Sequence, residues 1–190
     1  MSRIILHSAR EFDLLNARAD LITTLDIAHA LSLICRFNGH CSRHYSVAQH
    51  SLLVADIVQS QGHSPEIQLQ ALLHDAAEAY VGDMVRPLKL LLWEANGEFD
   101  AIEEHVWRAV CERFDLELEL PACVHQADMI ALATERRDLL PEHPAAWDCL
   151  RGITPHNTVL ATWTPWQARQ TFHDRLLELL ATTHRARAAA

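Results

Sequence analysis

The stretch Ala71-Leu-Leu-His-Asp-Ala-Ala-Glu-Ala-Tyr-Val-Gly-Asp83 carries the clearest signal in this sequence. Its apolar residues recur at steps of three and four, which predicts a helix with one buried face. Three ionisable residues, His74, Asp75 and Glu78, lie in or beside that face. Burial of such groups is unfavourable unless they are paired or bind a metal ion. The stretch alone leaves two interpretations open: a metal site, or the solvated edge of an amphipathic helix.

Length and composition favour one helical domain over residues 1–190. Apolar residues make up 49% of the chain and only 5 residues are Gly, which fits a compact helical protein better than a β-sandwich or a disordered chain. The net charge of -9 argues against a nucleic-acid polymer as partner. An acidic protein can still bind an anionic small molecule where cations are concentrated locally.

The termini and cysteines indicate a cytoplasmic protein without a membrane partner. The N-terminus has no signal-peptide pattern, and no apolar run reaches the length of a membrane span. The 5 Cys are odd in number and lack a Cys-x-x-Cys pair, as expected for free thiols in a reducing compartment.

Periodicity and capping signals predict an all-α bundle around the opening stretch. Residues 1–25 are expected to form a short β-hairpin or an extended arm, and Asp26 to cap the first helix. The predicted helices cover residues 26–35, 46–61, 65–81, a short segment from 86, 98–114, 121–140 and 166–183. A frayed tail is expected at residues 185–190.

Three of these helices each place a residue of metal-ligand type on an apolar stripe: His50, the pair His74-Asp75, and Asp128. Helices of a bundle can bring such residues to one point. Two His and two Asp form a mixed nitrogen and oxygen set, which suits a divalent transition metal such as Mn, Co, Ni, Fe or Zn. Four protein ligands leave a position for water, which a metal converts into a nucleophile at neutral pH.

In this order and spacing, the four residues resemble the H…HD…D signature of the HD-domain metal-dependent phosphohydrolases. The similarity spans about residues 10–140. Three flanking segments resemble the branch containing bacterial 5'-deoxynucleotidases: Tyr45-Ser-Val-Ala-Gln-His-Ser51, Leu72-Leu-His-Asp-Ala-Ala-Glu78 and Gly82-Asp-x-x-Arg-Pro-Leu-Lys89. Two more are similar to short phage-type dATP triphosphohydrolases: Asp26-Ile-Ala-His-Ala-Leu-Ser32 and Arg36-Phe-Asn-Gly-His40.

The resemblance implies a role for each matching residue. It implies the metal ligands His50, His74, Asp75 and Asp128. Glu78 would orient or deprotonate the metal-bound water, and Asp83 would act as a general acid or base near the scissile phosphate. Arg36 would contact phosphate, Phe37 would pack against the sugar or base, and Lys89 would bind phosphate.

The implied function is metal-dependent hydrolysis of (deoxy)nucleotides, with activated water attacking phosphorus. A 5'-deoxynucleotidase and a dNTP triphosphohydrolase both stay open. Beside the transition metal, additional Mg²⁺ could accompany the substrate. The family also implies a homo-oligomer. Alternatives are an alarmone or other phosphoester hydrolase of the superfamily, which Ala79 after Glu78 disfavours, a non-catalytic metal-stabilised binding module, and a purely structural bundle.

Overall fold

The computed structural model describes residues 2–95 and 97–189 and confirms the predicted all-α bundle with an N-terminal β-hairpin. Strands β1 (Arg3–Ile5) and β2 (Glu11–Asp13) pair antiparallel, with Ile4 opposite Phe12. The helices are α1 (Thr24–Leu33), α2 (Val47–Ser60), α3 (Pro65–Leu73), α4 (Glu78–Val81), α5 (Arg86–Ala95), α6 (Glu98–Phe114), α7 (Ala122–Leu139) and α8 (Pro165–Ala189).

Helix α2 lies at the centre of the bundle and contacts α1, α3, α7 and α8. Ser46 caps it, because the Ser46 hydroxyl accepts a hydrogen bond from the Gln49 N–H at 3.2 Å. All residues from 47 to 55 are buried, so this helix has no solvated face over that range. A polar side chain there, such as His50, therefore needs partners inside the protein.

The hairpin is anchored on the helices by Phe12 and by Asp26. The fully buried Phe12 ring stacks on Tyr80 with centroids 4.4 Å apart, and the Ser8 N–H donates to Asp26 Oδ1 at 2.8 Å. The prediction that Asp26 caps α1 is wrong. Thr23 is the cap, and its hydroxyl accepts from the Asp26 N–H at 3.1 Å, while the Asp26 carboxylate is used to hold the hairpin.

The predicted continuous helix over residues 65–81 is also wrong, because α3 ends at Leu73 and α4 begins at Glu78. Residues 74–77 form tight turns in which Ala76 N–H donates to the Leu73 carbonyl and Glu78 N–H to the Asp75 carbonyl. Successive residues of a regular helix point about 100° apart. His74 and Asp75 nevertheless reach the same point, with 3.3 Å between His74 Nε2 and Asp75 Oδ2.

Two further features complete the fold. Gly82 ends α4 with φ 85° and ψ 156°, a conformation that is essentially restricted to glycine, and Asp83 follows it.

Helix α8 continues to Ala189, so the tail predicted for residues 185–190 is helical through 189; Ala190 lies outside the described residues. The Ala- and Arg-rich end favours this continuation, since both are strong helix formers. Across residues 2–95 and 97–189, no helix combines the length and apolarity needed to cross a membrane.

Candidate metal centre

The residues predicted as metal ligands converge at the centre of the bundle. His50 Nε2 lies 3.3 Å from His74 Nε2 and 3.2 Å from Asp128 Oδ1. One ligand atom from each of His50, His74 and Asp128 lies within 4.8 Å of the others. Asp75 Oδ2 adds a fourth, at 3.4 Å from His50 Nε2 and 3.3 Å from His74 Nε2. This cluster could hold a metal ion.

The spacing of these atoms fits a shared ion better than direct hydrogen bonds. Ligands about 2.1 Å from an ion lie roughly 3.0–3.4 Å apart when the angle between them is between 90° and tetrahedral. The four separations of 3.2–3.4 Å fall in that range. Hydrogen bonds between a charged nitrogen and a carboxylate are shorter, about 2.7–2.9 Å.

The far side of each imidazole ring fixes which nitrogen faces the cluster. His50 Nδ1 lies 2.6 Å from Glu135 Oε1, and His74 Nδ1 lies 2.8 Å from the Ala71 carbonyl oxygen. A carbonyl and an ionised carboxylate only accept hydrogen bonds, so Nδ1 of each ring carries a proton. In the neutral rings, both Nε2 lone pairs then point towards the cluster, which is the arrangement found in histidine metal ligands.

When no metal ion is bound, ion pairing between the histidines and the carboxylates favours the charged form of each group. Burial and the Arg36 charge lower the pKa of His50, but Glu135, Asp128 and Asp75 together raise it well above its ordinary value. Burial raises the pKa of Asp75, but His74 and His50 hold it well below its usual range. An ion that binds here therefore replaces protons on the histidines.

Glu135 is a member of the site that sequence reasoning missed. It is fully buried, and it accepts from Arg36 Nε at 3.1 Å as well as binding His50 Nδ1. Burial raises the pKa of Glu135, but the Arg36 and His50 charges lower it overall. A signal was present, since Glu135 follows Asp128 by seven residues and so shares its face of α7.

Arg36 is positioned by a short antiparallel contact that precedes α2. Its N–H donates to the Tyr45 carbonyl at 2.9 Å, and Val47 N–H donates to the Ile34 carbonyl at 3.1 Å. The Arg36 Nη1 atom lies 3.7 Å from Asp75 Oδ2 and 4.0 Å from Asp83 Oδ2. Arg36 thus lies beside Asp75 of the cluster, and Asp83 lies beside Arg36.

The chain turns sharply after Arg36. Phe37 (φ 56°, ψ 33°) and Asn38 (φ 51°, ψ 31°) both adopt the left-handed conformation, which is strained by about 1–3 kcal/mol for each non-glycine residue. The half-buried Phe37 ring lies against the guanidinium of its neighbour, with 5.4 Å between Arg36 Cζ and the ring centroid. Its expected contact with a sugar or base stays a prediction.

The two predicted acidic catalysts both have raised pKa values. Burial is the main cause at Glu78, and the negative charges of Asp75 and Asp83 add to it. Burial also raises the pKa of Asp83, against the opposing charge of Arg36. Only 6% of Glu78 is exposed, and its Oε2 finds no hydrogen-bond partner in the part of the chain that the structure describes. Carboxyl groups of this kind suit proton transfer near neutral pH.

Lys89 lies at the site but is paired with an acidic residue. Its Nζ donates to both carboxylate oxygens of Glu103, at 2.8 and 3.0 Å, and lies 3.9 Å from Glu78 Oε1. Sequence reasoning missed Glu103, which comes from α6. Lys89 therefore reaches a phosphate only if that phosphate competes with Glu103.

A cleft of about 300 Å³ opens beside the cluster, at the lower end of the range for ligand pockets. It is lined by His74, Asp75, Ala77, Glu78, Lys89, Asp100, Glu103, Glu104, Trp107 and Leu120. A larger cavity of about 430 Å³ lies beside the end of α7, but its Arg136 and Arg137 already bind oxygens of Ala145 and Asp138. We place the functional site at the smaller cleft, because the predicted ligands His74 and Asp75 border it, together with Glu78, whose pKa is raised.

Comparison with known proteins gives a family without a stated activity. No family model matches the sequence. The chain is 40% identical over 153 residues to the uncharacterized protein YfdR of Escherichia coli K12. The aligned segment covers 80% of this chain and 81% of YfdR. The chain belongs to the YfdR family. It is also 39% identical over 124 residues to an uncharacterized protein of Rhodobacter capsulatus, covering 63% of this chain and 62% of that protein. Any activity must therefore be argued from the site.

Proposed function

We propose that this protein is a metal-dependent phosphohydrolase of (deoxy)nucleotides. The observation that supports this most is the convergence of His50, His74, Asp75 and Asp128 beside the buried Glu78, whose Oε2 has no partner among the described residues. A structural bundle would be expected to satisfy such groups internally. The likeness to the HD-domain phosphohydrolases, seen in the motifs, adds to this proposal.

The four ligands suit a divalent transition ion, namely Mn, Co, Ni, Fe or Zn. Such an ion supplies Lewis-acid polarisation of a phosphoryl oxygen and a water nucleophile at neutral pH. Everything else in the reaction falls to the side chains of this protein. They must bind the phosphate, neutralise its charge and move protons.

Glu78 and Asp83 are the groups that move protons in this proposal. Glu78 borders the cleft, and Asp83 Oδ2 lies 4.0 Å from Arg36 Nη1. Two carboxyls with raised pKa values can accept a proton from the attacking water and return one to the leaving oxygen. One of these two carboxyls would take the proton from the water, and the other would give a proton to the leaving oxygen.

Arg36 and Lys89 are the cations that receive the phosphate. Arg36 uses Nε for Glu135, and its Nη1 stands beyond hydrogen-bond distance from Asp75 and Asp83. A phosphate oxygen is a stronger acceptor for such a group than a distant carboxylate. Lys89 would exchange Glu103 for phosphate.

The cleft is acidic, which bears on the form of the substrate. Asp100, Glu103 and Glu104 line it together with Lys89. A triphosphate would be repelled unless it arrived with Mg²⁺, whereas a monophosphate needs less neutralisation. Both a 5'-deoxynucleotidase and a dNTP triphosphohydrolase remain within the proposal, which also keeps the cytoplasmic location and homo-oligomeric state expected from the sequence.

The test is a panel of dNMPs, dNTPs and the matching ribonucleotides, incubated with protein loaded with each candidate metal and followed by chromatography of the products. We expect release of phosphate from a monophosphate or of tripolyphosphate from a triphosphate. Product formation should stop when the metal is chelated and resume when it is restored. If the loaded protein releases no product from any nucleotide in the panel, the proposal is wrong.

An alarmone added to the same panel separates that alternative, since it would then be the preferred substrate. A non-catalytic binding module would bind metal and ligand without turnover.

A further inference from the structure

Glu135 joins two parts of the site that have different tasks. One carboxylate oxygen, Oε1, lies 2.6 Å from Nδ1 of His50, and the other, Oε2, lies 3.1 Å from Nε of Arg36. The side chain is completely buried on α7, seven residues after Asp128. It does not reach the metal cluster itself, because the His50 ring stands between them.

The first contact fixes the orientation of His50. A carboxylate that accepts the Nδ1 proton keeps Nε2 directed at the cluster and makes the ring a stronger ligand. His50 is the common neighbour of the cluster, since its Nε2 contacts His74, Asp75 and Asp128 at 3.2–3.4 Å. A turned His50 ring would therefore disturb its contacts with all three of the other ligands.

The second contact fixes Arg36. The guanidinium is buried, with 11% of its side chain exposed, and Glu135 is the partner at hydrogen-bond distance. Because Nε is taken by Glu135, the plane of the guanidinium is set and Nη1 is held between Asp75 and Asp83. A phosphate that binds Arg36 would thus find the guanidinium already held in one orientation.

We propose that Glu135 is a positioning residue that orients the metal ligand His50 and the phosphate-binding Arg36 through one carboxylate, so that the metal and phosphate sites form together. This inference rests on the proposed function for the role of Arg36, and on the metal cluster alone for the role of His50.

The decisive variant is Glu135→Gln, which keeps the size of the side chain but has a single acceptor oxygen. In Gln, one of the two carboxylate oxygens is replaced by an NH2 group, which only donates and so cannot accept from His50 Nδ1 or Arg36 Nε at that position. We expect the affinity for Mn²⁺ or Zn²⁺ alone, measured by calorimetric titration of metal-free protein, to fall about 10–100-fold. At saturating metal, we expect the affinity for inorganic phosphate to fall about tenfold or more.

The matched control is Asp138→Asn, three residues further along α7. Asp138 is also largely buried, and its carboxylate binds Arg137 and the Leu160 N–H. This substitution removes an acidic group from the same helix without touching the site, so both affinities should stay at the wild-type value.

Glu135→Asp covers the case in which Glu135→Gln does not fold because the Arg36 charge is left unpaired. The shorter acid keeps the charge but cannot span both partners, so metal and phosphate should again bind more weakly. The inference is overturned if folded Glu135 variants bind both within twofold of the wild type. If the wild type hydrolyses no nucleotide yet Glu135→Gln loses metal affinity, the proposed function fails and the role towards His50 stands.

Discussion

The Nε2 atoms of His50 and His74 lie 3.3 Å apart, although Nδ1 of each ring already binds an acceptor. Two neutral imidazoles held in this way face each other with lone pairs, which repel unless a cation or a proton lies between them. The protein has therefore fixed two histidines so that either protons or a metal ion must lie between their Nε2 atoms and the two carboxylates. The carboxylates of Asp75 and Asp128 beside them increase the preference for a cation.

Metal binding should raise the thermal stability of the protein. An ion that binds only the folded state at a concentration 100-fold above its dissociation constant adds about 2.7 kcal/mol. For a chain of this size that corresponds to a rise in Tm of roughly 5–11 °C. Differential scanning calorimetry with and without the ion measures the shift. His74→Ala should abolish it, and the exposed His125→Ala should not; equal shifts in both variants would place the ion elsewhere.

Replacing Glu78 with Gln should separate catalysis from metal binding. Gln cannot exchange a proton, so we expect kcat to fall by about 10²–10⁴-fold. The metal content should stay at the wild-type value, because Glu78 is not one of the clustered ligands. Glu104→Gln, at the exposed rim of the same cleft, is the control and should change kcat little. Full activity in Glu78→Gln would remove Glu78 from the mechanism.

Substituting Lys89 should show how many phosphates the substrate carries. Lys89→Met removes a cation from the cleft wall, so a triphosphate should lose more affinity than a monophosphate, with KM rising about 10-fold or more. Steady-state kinetics on a dNMP and the matching dNTP measure the difference. Arg86→Met, at the exposed start of α5, serves as control. An equal KM change for both substrates would show that Lys89 does not contact the outer phosphates.

The N-terminal hairpin should contribute to stability through one ring. Phe12 is fully buried and stacks on Tyr80, two residues after Glu78. Phe12→Ala should lower the free energy of unfolding by about 3–5 kcal/mol. Leu15→Ala, in the same segment but exposed, should change it by less than about 0.5 kcal/mol. Urea denaturation of the two variants checks this, and comparable small effects would mean that the hairpin is only loosely docked.

The fold class was predictable because helical periodicity is a local property. The hairpin and the start of α2 at Ser46 follow from short-range signals, and the structure confirms both. The interruption between α3 and α4 was not predictable in this way, since the apolar spacing continues through residues 74–77. His74 and Asp75 lie against His50 of α2, and such a contact between distant segments leaves no mark in local periodicity.

In the site too, the residues with a local signal were predictable and those that depend on distant pairing were not. The metal ligands stand out in the sequence because ionisable residues on apolar stripes are conspicuous. Glu135 and Glu103 did not stand out, although each binds a predicted site residue. For Glu135, the seven-residue step from Asp128 indicated the shared face of α7, but not the pairing with Arg36 across 99 residues. Glu103 pairs with Lys89 of another helix, 14 residues away, and periodicity within one helix does not report such a pair.

The central claim is tested most directly by titrating metal-free protein with a divalent transition ion while recording the product released from the nucleotide panel. We expect no turnover without the ion, and a rate that rises with bound metal and saturates at about one equivalent per chain. Turnover by the metal-free protein, or no product from any nucleotide at saturation, would contradict the account.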